Sequence, residues 1–183
     1  MQVTIVLGSS SDAKVMKGAA EALEACGVEW EARILSAHRM PDELKAYVEV
    51  QVAAGTRVFI AGAGLAAHLP GVIASHTTRP VIGVPIRAAF DGLDALLSIV
   101  QMPKGVPVAT VGVNNSYNAG LLAVQMLAAG ASETAGGSAG GSAVGAASGA
   151  APDAEELDEK IRRLREERAA ALMREPQNRE VFK

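Results

Sequence analysis

The sequence has 183 residues, a formal net charge of −3, 49% hydrophobic and 20% charged residues, and one cysteine, Cys26. That length and balance suit one core-forming domain with an appended element. The charge excludes a general basic field for nucleic acid, so an anionic ligand has to be held by local devices. A single cysteine excludes an intrachain disulfide and a cysteine metal cluster, and no apolar run approaches the roughly 20 residues needed to span a bilayer. The first residues run directly into a strand, with no basic-then-apolar signal segment, which predicts a soluble cytoplasmic protein with neither nucleic acid nor membrane as a partner.

Gln2–Leu7 is a short β-branched run of the kind found in strands buried on both faces. Gly8-Ser9-Ser10-Ser11-Asp12 follows, then a helical pattern with apolar residues at Val15, Met16, Ala19, Leu23 and Cys26, closed by Gly27. Such a loop either caps the helix or offers backbone N–H groups and hydroxyls to an anion at the helix's positive end. The P-loop and dinucleotide glycine patterns are both absent. Cys26 lies on the apolar side of this helix and reads as a core residue.

A second strand, Glu29–Leu35, delivers Ser36-Ala37-His38-Arg39 ahead of Pro41, which suits a first helical position. A near-neutral imidazole beside a permanent cation is thereby set at the carboxyl end of a strand, where open α/β sheets bind ligands. The third strand, Arg57–Ala61, leads into the small-residue loop Gly62–Gly71, which contains Gly64, Leu65 and His68. This loop either lets a backbone approach a ligand closely or packs helix tightly on strand; His68 is either a polar contact or a helix-start residue. A fourth strand at Val81–Ile86, a helix near Leu93–Val100, a strand at Pro107–Val113 and a helix from Asn114-Asn115-Ser116 to about Ala129 complete the pattern. Alternating strands and helices predict an α/β fold, a flavodoxin-like three-layer doubly wound parallel sheet of about five strands, with a C-terminal helix added. In that order the first and third strands flank the switch point, so the loops beginning at Gly8, Ser36 and Gly62 converge on one crevice.

From residue 130 the composition turns to Gly, Ala and Ser. Residues 1–129 are thus expected to form the catalytic domain, 130–152 a flexible tether, and 153–183 a helix that docks on its own or a neighbouring subunit or stays solvated. Its acidic residues come early and its arginines late, matching the helix dipole. No metal is expected, since His68 and His76 lack an obvious third ligand. No serine sits in a nucleophile elbow.

With these stretches in hand, the chain resembles the catalytic protein of the phosphoribosylaminoimidazole carboxylase family. The resemblance is carried by Gly8–Asp12, Ser36–Arg39, Gly62–Gly71, Ser98-Ile99-Val100-Gln101-Met102-Pro103 and Asn118-Ala119-Gly120-Leu121-Leu122. Arg39 after His38 looks like the class that isomerises N5-carboxyaminoimidazole ribonucleotide to 4-carboxyaminoimidazole ribonucleotide. The class that carboxylates with free carbon dioxide tends to carry Lys there. The resemblance implies a homo-octamer, a ribonucleotide monophosphate substrate, and neither metal nor organic cofactor. It implies His38 as the group that moves the proton, with Ser9, Asp12 and Arg39 on substrate and Ser11, Ser36, Gly64, Leu65 and His68 completing the binding set. Leu65 stands where many members have glycine. Two other readings stay open from sequence: a direct carboxylase of aminoimidazole ribonucleotide, and a non-catalytic ribonucleotide- or phosphate-binding module.

Overall fold

Five strands, β1 (Val3–Leu7), β2 (Trp30–Ile34), β3 (Val58–Gly64), β4 (Val81–Ile86) and β5 (Ala109–Thr110), pair in parallel in the order β2-β1-β3-β4-β5. The computed structural model describes residues 2–131 and 153–174. The helices are α1 (Ala13–Ala25), α2 (Pro41–Ala53), α3 (Leu69–His76), α4 (Leu93–Val100), α5 (Ser116–Ala131) and α6 (Ala154–Arg174). This is the flavodoxin-like order, with its switch point between β1 and β3.

The central strands are buried along their whole length, as their continuous apolar runs require: every residue of β1 and β4, and all of β3 up to Ala63. Val6, Phe59, Ala61 and Val81 pack with Leu44 and Val48 of α2, Leu69 and Ile73 of α3, and Ala95 and Ile99 of α4. α1 buries Met16, Ala19, Ala22 and Leu23, and Cys26 is buried just beyond it. β2 is one of the two edge strands, and its residues Ala32–Ile34 are exposed. The one polar side chain of β1, Thr4, is satisfied by a buried hydroxyl–hydroxyl bond of 2.7 Å to Thr56.

Three boundaries differ from the sequence reading. β3 continues through Gly62-Ala63-Gly64, which pair with Val84, Pro85 and Ile86, so the small residues first read as loop belong to the sheet. α3 begins at Leu69, with Pro70 in its first turn rather than in the preceding loop. β5 is two residues long instead of seven, and Pro107, two residues before it, cannot donate to a ladder.

By backbone contacts the chain divides into units 1–127 and 128–183. The second contains α6, whose N-terminus is capped by Asp153 Oδ1 accepting the Glu156 N–H at 2.8 Å and whose surface carries pairs such as Lys160–Glu156 at 2.6 Å. Residues 132–152, most of the predicted tether, and 175–183 lie outside the described residues. No helix among the described residues is long and apolar enough to cross a membrane.

Candidate functional site

The carboxyl ends of β1, β2, β3 and β4 open onto one cavity of about 750 Å³. Its lining includes every one of the nine residues singled out from sequence: Ser9, Ser11, Asp12, Ser36, His38, Arg39, Gly64, Leu65 and His68.

The first wall comes from the β1–α1 turn. Ser9 is extended and caps the short 3-10 turn Ser10–Asp12, its Oγ accepting the Ser11 N–H at 3.4 Å. The Ser11 hydroxyl stands 3.0 Å from Ser9 Oγ and 3.2 Å from Asp12 Oδ1 and can donate its single proton to only one. Burial pushes the Asp12 carboxyl above its ordinary value, against the lowering effect of the Ser11 hydroxyl and the Ser9 backbone. Gly8 N–H donates to Gly62 O at 3.1 Å, tying this turn to β3 across the switch point.

The second wall is the turn between β2 and α2, closed by the Met40 N–H on Ser36 O at 2.9 Å. Pro41 then starts the helix. Arg39 folds back over the first wall: its Nε donates to Ser36 Oγ at 3.2 Å and its Nη2 to Gly8 O at 3.3 Å. The guanidinium is therefore aimed by two bonds while keeping donors for an anion. Tyr47 of α2 donates its hydroxyl to the Glu31 carboxylate of β2, bracing this turn from behind.

The third wall follows β3. Leu65 adopts φ 56°, a left-handed conformation that costs a side-chain-bearing residue about 1–2 kcal/mol. Two tight turns then bring the chain to α3, with Ala67 N–H on Leu65 O at 2.8 Å and His68 N–H on Ala66 O at 2.7 Å. They carry His68 to His38: Nε2 of His38 and Nδ1 of His68 are 2.7 Å apart, with the rings nearly perpendicular at 82°. Gly64 lets the neighbouring strand approach closely, because a Cβ there would crowd Ile86 O at 3.1 Å.

The fourth wall, Ile86-Arg87-Ala88 at the end of β4, was not among the residues read from sequence. A cation immediately after a strand of the parallel sheet is the signal that would have marked Arg87.

The site can thus seat an anion between Arg39 and the hydroxyls at the start of α1, and present an imidazole to a ligand in the same cavity. Comparison with known proteins agrees in kind. A family model described as AIR carboxylase matches residues 2–137. The N5-carboxyaminoimidazole ribonucleotide mutase of Thermotoga maritima is 56% identical over 127 residues, 69% of this chain and 74% of that protein. The chloroplastic phosphoribosylaminoimidazole carboxylase of Vigna aconitifolia is 62% identical over 123 residues, 67% of this chain but 22% of that much longer protein. The crystal structure of Treponema denticola PurE superposes with a TM-score of 0.74 over 100% of this chain and 99% of its own, at 22% identity, a likeness of fold. With its matched segment covering the whole sheet and all four walls of the cavity, the chain belongs to the AIR carboxylase family.

Proposed function

We propose that the protein is an N5-carboxyaminoimidazole ribonucleotide mutase, moving a carboxylate from the exocyclic nitrogen to the ring carbon of aminoimidazole ribonucleotide. The observation that carries this reading is the His38–His68 pair set beside Arg39 in one cavity. Relatives named for this reaction, at 55–57% identity, support it.

In the proposed route the C–N bond to the carboxylate breaks, its electron pair stays on nitrogen, and His38 gives that nitrogen a proton. The ring carbon attacks the carbon dioxide released, and His38 takes back the proton that this carbon loses. One imidazole serves both steps because they run in sequence and the proton count closes. His68 fixes the ring of His38: facing nitrogens 2.7 Å apart share one proton, so His68 selects the tautomer that His38 presents. Arg39, Ser9 and the start of α1 hold the phosphate, and Asp12 accepts from ribose hydroxyls. The Leu65–Ala67 turn covers the base and keeps carbon dioxide near the ring carbon, so that recapture is effectively unimolecular.

A second reading, direct carboxylation of aminoimidazole ribonucleotide by free carbon dioxide, is favoured by the carboxylase name of the 62% identical plant relative. Assaying the purified protein on both substrates separates the two. The mutase reading requires fast conversion of the N5-carboxy nucleotide without added bicarbonate; turnover that appears only with aminoimidazole ribonucleotide and bicarbonate overturns it.

The working form is a homo-octamer in this reading. Support comes from apolar side chains left open on unit 1–127: Phe90 83%, Leu93 54%, Leu97 48% and Val100 49% exposed along one stripe of α4 and the turn before it. A solution mass near one subunit would contradict it.

A further inference from the structure

We propose that Arg87 is a second anion anchor, which takes the carboxylate that migrates while Arg39 holds the phosphate; this rests on the functional reading above.

Besides His38 and His68, the cavity lining carries three formally charged side chains, the carboxylate of Asp12 and the guanidiniums of Arg39 and Arg87. Asp12 and Arg39 cancel, so without Arg87 the walls would offer no net charge to a nucleotide that brings a phosphate of about −1.5 to −2 and a carboxylate besides. Arg39 is already committed to the β1 side by its bonds to Gly8 O at 3.3 Å and Ser36 Oγ at 3.2 Å. Arg87 lies at the other end, on the residue after β4, with β3 between β4 and β1. Two strand spacings separate these walls by about 10 Å. His68 rises from the turn after β3, between these walls, and meets His38 from the turn after β2. The anions of the substrate are likewise at opposite ends of the molecule, with the reacting atoms next to the carboxylate.

The backbone at Arg87 is held for such a task. Its N–H donates to Asn114 Oδ1 at 2.9 Å, and Asn114 N–H in turn donates to Pro85 O at 2.8 Å. Asn114 takes the left-handed conformation, φ 59°, to make this clamp. On the other side Gly92, at φ 86°, lies so close that a Cβ would come within 3.2 Å of Arg87 Cα. The Cα is thus fixed by β4, Asn114 and Gly92, while Arg87 lines the cavity as an exposed residue whose side chain has no hydrogen-bond or ion-pair partner among the described residues. A fixed backbone position carrying open guanidinium donors is an arrangement that can take a carboxylate as a two-pronged fork.

The test compares two nucleotides that differ only in this anion: 4-carboxyaminoimidazole ribonucleotide and its neutral carboxamide counterpart. Their Kd values are measured by titration calorimetry on wild-type protein, Arg87→Gln, Arg87→Lys and Arg39→Gln, with thermal melts to verify folding. Arg87→Gln is expected to weaken the carboxylate nucleotide by about tenfold to a hundredfold while changing the carboxamide by less than about threefold. Arg87→Lys is expected to restore most of the preference, and Arg39→Gln to weaken both ligands alike. Equal responses of both ligands to Arg87→Gln, or no response, overturn the inference alone. Wild-type protein that binds neither nucleotide overturns the functional reading and the inference with it.

Discussion

His38 and His68, thirty residues apart in sequence, meet through Nε2 and Nδ1 at 2.7 Å because β2 and β3 flank β1 and release their loops at the same sheet edge. Neither ring is buried, so a ligand in the cavity reaches the pair while each ring restrains the other. If His68 works by orienting His38, His68→Gln should lower kcat by about tenfold to a hundredfold, as small misplacements of a catalytic group do, with little change in KM. The pH profile of kcat should move as well. A rise in KM alone would make His68 a substrate contact instead.

Leu65 pays a conformational cost that glycine would not. Leu65→Gly should relieve about 1–2 kcal/mol of left-handed strain against about 0.5–1 kcal/mol of added chain entropy in the unfolded state. At 56% exposure the side chain gives up little burial. Chemical denaturation should therefore show a variant equal to or more stable than wild type, by up to about 1 kcal/mol. A loss of more than that would mean the leucine packs on something in solution.

Asp12 ties stability to pH. Its carboxyl is raised above the ordinary 3.8 by burial, so the folded protein binds this proton more tightly than the unfolded chain does. The stabilising contribution is full below the unfolded value and is lost as pH rises through the folded one. Asp12→Asn should therefore be more stable than wild type at pH 7, with the difference fading toward pH 3. Melting temperatures across that range check the sign, and a variant less stable at pH 7 would contradict it.

Much of this was legible from the chain. The Gln2–Leu7 run, the Gly8–Asp12 turn and the Ser36–Arg39 turn before Pro41 read as they fold, and α4 falls on Leu93–Val100 as expected. What was not legible depended on pairing partners. Gly62-Ala63-Gly64 looks like loop until β4 lies beside it, and ladder bonds then override weak strand propensity. Pro70 reads as a breaker unless the helix starts one residue earlier. Arg87 carries no motif beyond being a cation directly after a strand; the register pairing Gly64 with Ile86 brings it to the cavity. The left-handed clamp at Asn114 has no sequence signal beyond the asparagine itself.

The central claim is that His38 moves the proton in a mutase reaction. Its most direct test is single-turnover conversion of N5-carboxyaminoimidazole ribonucleotide by wild type and by His38→Asn, with binding measured on the same samples. The account predicts that His38→Asn folds and binds the nucleotide as wild type does, yet turns it over about 10²–10⁴-fold more slowly. Near-normal turnover by that variant would contradict it.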